Sequence, residues 1–165
     1  MYNAKGFTVR HRLSCTAAVL FSLSGPALAD FTLDYPPGLA CSFELRIDGT
    51  GGHQVYREFV DRNGNLVRSI SAGTGSALTF TNVDSGATFS TKSNGAVTQI
   101  TYNADGSYTF VTTGHNILIL FPTDIPAGPS TTLYVGRVVF NADAFFNFTL
   151  LDHRGTATDI CAALS

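Results

Sequence analysis

Apolar and polar positions alternate with a period of two along most of the chain. In residues 41–47, Phe43, Leu45 and Ile47 fall on one side and Glu44 and Arg46 on the other. In residues 66–71, Leu66, Arg68 and Ile70 share a face. A period of two is the mark of a strand with one buried face. The densest pattern lies at residues 99–121, where three runs rich in β-branched and aromatic residues are separated by Asn103-Ala104-Asp105-Gly106 and Gly114-His115-Asn116. The first interruption predicts a tight hairpin, because Gly106 takes a left-handed conformation without a Cβ penalty. The second is read as the next reversal. Residues 117–121, Ile-Leu-Ile-Leu-Phe, are apolar on both faces and predict the most buried strand.

The same reading places further strands at residues 54–60, 76–82, 88–92, 96–102, 131–140 and 146–151. Asp61-Arg-Asn-Gly-Asn65 and Asp84-Ser-Gly86 are turns, and Ser93-Asn94-Gly95 is a hairpin signal. Residues 122–130 hold three prolines, which disfavours a ladder-bonded strand; the segment suits a crossover between sheets, or a rim or lid. No apolar period of 3.6 is long enough for a substantial helix, and residues 156–165 predict one short helical turn. The fold class is all-β: a single antiparallel meander of about ten short strands, barrel-like, with a two-sheet β-sandwich as the alternative, since both limit exposed edges.

The ends alter this picture. Lys5, Arg10 and Arg12 precede an apolar run, and Ala27-Leu28-Ala29 fits a small-x-small cleavage rule. Residues 1–29 are therefore expected to be a Sec-type signal peptide cut after Ala29, leaving residues 30–165 as one secreted domain that inserts in no membrane. All twelve acidic residues and seven of the ten basic ones lie beyond residue 29, so the remaining formal charge is −5. No basic stripe offers itself to nucleic acid. Of three cysteines, Cys15 leaves with the signal, and Cys41 and Cys161 are expected to pair in an oxidising compartment.

Candidate chemistry is sparse. No Gly-x-Ser-x-Gly elbow and no His-Glu-x-x-His is present. His53, His115 and His153 sit in turn-like contexts, and a zinc site would need them to converge with a carboxylate such as Asp152. Asp61-x-Asn63-x-Asn65 opens like a calcium loop but has Leu66 where that loop needs glycine, so a hairpin is expected. Glu44 and Glu58 are the only glutamates. Arg57 and Glu58 point to opposite faces of one strand, so in a closed barrel one of them would line a cavity. Tyr56, Tyr102, Tyr108 and Tyr134 combine an apolar body with a polar tip and suit a small-molecule or sugar pocket. Phe145-Phe146-Asn147-Phe148 reads as a strand buried on both sides, or else as an interaction patch, and Asn147 opens an N-glycosylation sequon.

Tyr35-Pro-Pro-Gly-Leu-Ala-Cys41, Gly114-His-Asn-Ile-Leu-Ile-Leu-Phe-Pro-Thr-Asp124, Gly136-Arg-Val-Val139 and Asp159-Ile-Cys161 together give a pattern that resembles the small secreted all-β proteins of actinobacteria. The resemblance covers most of the secreted part. It implies one exported domain and carries no activity or site residues. The expected function is a non-catalytic binding or surface-interaction protein without a cofactor, its partner an extracellular small molecule, sugar or protein. The alternatives are a small secreted hydrolase with a dispersed site, and a structural or host-interaction protein with no small ligand.

Overall fold

Each predicted run of alternation becomes a strand, but the strands are divided between two sheets. The computed structural model describes residues 30–165; the expected signal peptide, residues 1–29, lies outside the described residues. In chain order the elements are β1 (Phe31–Tyr35), β2 (Leu45–Thr50), β3 (His53–Val60), β4 (Leu66–Thr74), β5 (Ala77–Asn82), β6 (Thr88–Thr91), β7 (Gly95–Tyr102), β8 (Tyr108–Leu120), β9 (Ser130–Ala142), β10 (Phe148–Asp159) and the single turn α1 (Ile160–Ala163). One sheet has the order β1-β2-β5-β6 and the other β10-β9-β8-β7-β4-β3. All their strand pairs are antiparallel. Among the described residues no helix is long and apolar enough to cross a membrane.

The sandwich alternative is the fold, and the barrel-like single meander is not. The six-stranded sheet ends in open edges at β3 and β10, and the chain changes sheets three times. These changes occur at Gly51-Gly52, at Gly75-Ser76 and at residues 92–94, so Ser93-Asn94-Gly95 is a crossing and not a hairpin. The reason lies in where the backbone groups go. Gly75 N–H donates to Asn94 O at 2.9 Å, Ser93 Oγ donates to Gly75 O, and Ser76 Oγ donates to Gly51 O at 2.9 Å. The three crossings bond to one another and form a common corner. The proline-containing segment, in contrast, joins the adjacent strands β8 and β9 of one sheet.

Gly114-His115-Asn116 is likewise no reversal; it lies inside β8. Gly114 pairs with Gly136, and Gly136 with Gly155; on the other side Gly114 faces Ala96, which faces Gly73. Gly73, Gly114, Gly136 and Gly155 all have positive φ. A Cβ on any of them would overlap a backbone carbonyl or Cα of the adjacent strand. This row of glycines creases the sheet. A straight strand from Tyr108 to Phe121 would be roughly 40 Å long. Yet the Asp124 carboxylate accepts N–H bonds from Phe121, beyond the end of β8, and from Phe148, which lies at the Tyr108 end of the sheet, both at 2.6 Å. The two ends are therefore folded together, with Asp124 as the clasp. Ile125 adds a parallel bridge to Thr149, donating to Phe148 O at 2.8 Å and accepting from Leu150 N–H at 2.7 Å.

The crease explains why residues 117–121 are apolar on both sides. Ile117 and Ile119 pack on the core between the sheets, built on Leu45, Ile47, Phe80, Ile160 and Leu164. Leu118 and Leu120 pack inside the fold with Tyr134, Val138 and Phe140. The expected disulfide forms between Cys41 and Cys161, with Cα atoms 5.6 Å apart and 120 residues between them in sequence. It ties the segment before β2 to α1. Closing a loop of this length is worth about 5 kcal/mol in the chain-entropy account.

Candidate functional site

A pocket of about 250 Å³ lies inside the folded sheet. The register shows how it is built. Thr98 of β7 faces Thr112 of β8, Thr112 faces Val138 of β9, and Phe110 faces Phe140, so these five side chains share one face. Phe110 and Phe140 stack at 4.7 Å with planes 5° apart. Beyond the crease Asn116, Ile117, Leu118 and Tyr134 complete the wall. Tyr134 is only 7% exposed, and its ring lies 5.3 Å from that of His153. His153 pairs with Val138 while Tyr134 pairs with Ala157, four residues along β10, so the approach of the two rings is another measure of the bend.

Two polar atoms in this wall have no partner among the described residues. Thr112 Oγ1 and Asn116 Nδ2 are buried and unbonded. Thr112 is 6% exposed. Burial pushes the Tyr134 hydroxyl up in pKa against a hydrogen bond from Thr132, so it stays a neutral hydroxyl. Among the described residues Tyr134 is the one titratable side chain that lines the pocket. The pocket offers an apolar, aromatic wall with a few hydrogen-bonding groups.

The structure distributes the six residues expected from sequence over three places. Tyr134 is in the pocket. Tyr56, Glu58, Tyr102 and Tyr108 lie on the same sheet face, toward its open side: Tyr56 O–H donates to Glu58 at 3.3 Å, Tyr102 OH is 3.2 Å from Ser69 Oγ, and Tyr102 meets Tyr108 edge-on at 5.6 Å. Arg57 faces Ile70 on the opposite side, beside Val55 and Phe59. Because β3 is an edge of an open sheet, Arg57 and Glu58 are both exposed and neither lines a closed barrel.

The histidines do not converge. His115 lines an adjoining pocket of about 190 Å³ between the sheets, which shares Thr98, Asn116 and Ile117 with the first and holds Ser76 and Lys92, with no carboxylate among the described residues to orient the imidazole. Among the described residues no group of three or more His, Cys, Asp or Glu side chains could hold a metal ion. Asp61 accepts from Asn63 N–H, Asn65 N–H and Asn65 Nδ2 at 2.8–3.0 Å, which makes it the hinge of a hairpin. Those bonds, led by the Asn65 side chain, hold its carboxyl below the usual range.

Sequence reading missed Thr112, Asn116 and Asp124. The available signal was two polar residues, two positions either side of Gly114, within an otherwise apolar alternation. Set against known proteins, the chain matches no family model, no curated sequence and no solved structure.

Proposed function

We propose that the protein is an exported, non-catalytic binding protein whose ligand occupies the pocket inside the creased sheet. The observation that carries this reading is the pair Thr112 Oγ1 and Asn116 Nδ2, buried without partners in a pocket of about 250 Å³. A buried polar group left unpaired costs about 1–3 kcal/mol, and a ligand that bonds both recovers that loss. The aromatic and aliphatic remainder of the wall selects a compact, mainly apolar molecule. A cavity of about 150 Å³ holds a benzene ring, so this one has room for a ring with a polar substituent. Export is supported by the composition of residues 1–29, and by a disulfide that suits an oxidising compartment.

Benzamide and toluene test the reading, because they differ in the amide that would meet Asn116 and Thr112. Benzamide is expected to raise the melting temperature and toluene to do so less. In Thr112→Val the benzamide effect weakens, while the unliganded protein gains about 1 kcal/mol by losing an unpaired hydroxyl. If neither compound shifts the melting curve, and native and denaturing mass spectra of the purified protein coincide, the pocket is not a ligand seat.

A further inference from the structure

The turn between β9 and β10 carries an unusual residue. In Asp143-Ala-Phe-Phe-Asn147 the Asp143 carboxylate accepts from Phe145 N–H, Asn147 N–H and Asn147 Nδ2 at 2.8–2.9 Å. This repeats the bonding of Asp61-Arg-Asn-Gly-Asn65. The turn from Asn103 to Ser107 has the same backbone bonds. The left-handed position of those two turns is Gly64 (φ 86°) and Gly106 (φ 85°); here it is Phe146 (φ 62°). A bulky aromatic side chain at positive φ is strained, and strain of this kind marks functional positions. Burial does not compensate for it: Phe146 is 61% exposed and its neighbour Phe145 87% exposed. One face of Phe146 stacks on Tyr108 at 5.5 Å with planes 16° apart. The sequence expectation of a strand buried on both sides fails here, since β10 begins only at Phe148.

Beside this turn is a surface pocket of about 370 Å³, lined by Ser107, Thr123, Asn141, Asp143, Asn147 and Thr149 among others. Asn141 Oδ1 is buried there without a donor. Among the described residues no Lys, Arg or His lines the pocket, and residues 30–165 are net negative, so an anionic ligand is disfavoured. What fits is a neutral molecule with many hydroxyls and one apolar face. We propose that this end of the protein is a carbohydrate-binding site, distinct from the inner pocket. Phe145 and Phe146 offer aromatic rings to the apolar face of one sugar unit, and Asn141 Oδ1 accepts from a hydroxyl of a neighbouring unit that enters the pocket.

Affinity electrophoresis of the full chain in gels containing xylan, hydroxyethyl cellulose or glycol chitin tests this. At least one polysaccharide is expected to retard the protein. Phe145→Ala combined with Phe146→Gly should weaken the retardation tenfold or more. The melting temperature should hold or rise, because glycine relaxes the turn, so lost binding cannot be ascribed to unfolding. Asn141→Leu should also weaken binding. Free migration in all three gels overturns the proposal, as does retardation that the double variant leaves unchanged. Phe145-dependent sedimentation with phosphatidylcholine vesicles would likewise overturn it and assign the aromatic pair to a membrane surface.

Discussion

Replacing Asp124 by alanine removes the clasp and nothing else of comparable size. The side chain is 3% exposed and bonds the N–H groups of Phe121 and Phe148 at 2.6 Å each. A hydrogen bond to a charged group is worth about 1.5–3 kcal/mol. Phe121 and Phe148 are only half-buried, so water can reclaim part of each loss. Relief from burying a carboxylate offsets a little more. The expected net loss is about 3 kcal/mol, against a total stability of roughly 5–15 kcal/mol for a domain of this kind, so the variant still folds. With a urea slope of about 1.5–2 kcal/mol per molar, the midpoint should fall by about 1.5–2 M with the disulfide intact. Asp124→Asn keeps one acceptor but turns an NH2 donor toward the other N–H, so it should not restore the wild-type midpoint. Hydrogen exchange supplies the local readout: in Asp124→Ala the amides of Phe121 and Phe148 should exchange faster by more than the global destabilisation accounts for. A loss below about 1 kcal/mol, with those two amides unaffected, would refute the idea that the carboxylate holds the sheet ends together.

Two further outcomes follow from the crease and the turns. Gly136→Ala adds a Cβ that overlaps the Arg154 carbonyl at φ 140°, whereas at Gly64 (φ 86°) nothing lies within 4 Å. The first should cost roughly 3 kcal/mol or more and the second about 1 kcal/mol; equal losses in urea denaturation would sink the crease. The carboxyls of Asp61 and Asp143 are held below their ordinary value of 3.8, chiefly by the side chains of Asn65 and Asn147. A depressed pKa contributes stability that is complete above the unfolded value and lost as pH falls through the lower folded one. The urea midpoint should therefore decline once the pH drops below about 4. In a carboxyl-detected NMR titration Asp143 should titrate below 3.8, and a value at or above 3.8 would contradict the turn geometry.

Much of the strand content was legible because alternation and turn chemistry are local. Asp61…Asn65 reads as a hairpin from five residues, and residues 117–121 announce a strand buried on both faces. What failed depended on partners distant in sequence. Glycine with positive φ serves a tight turn and an in-strand bend equally well, so Gly114 reads as a reversal from its neighbours alone, whereas its pairing with Gly136 places it inside β8. Ser93-Asn94-Gly95 has hairpin composition, yet its carbonyl and hydroxyl bond to Gly75. Phe145 and Phe146 were read by aromatic periodicity as strand, although the Asp143…Asn147 spacing repeats Asp61…Asn65 and could have marked a turn. The face assignments behind the tyrosines could not be read either. Tyr134 enters the inner pocket and Arg57 faces outward because of register and bending, which single-strand alternation does not encode.

Cys41 and Cys161 bracket β2 to β10, and the tips of the hairpins that these strands form with one another lie between them. The covalent chain is thus a ring with two short tails. A protease that cuts any one exposed tip inside the ring opens it but releases no fragment. The two pieces remain joined through sulfur and interleaved across both sheets. Such a molecule would tolerate nicking in a protease-rich environment, and a non-reducing gel would not reveal the damage; a reducing one would.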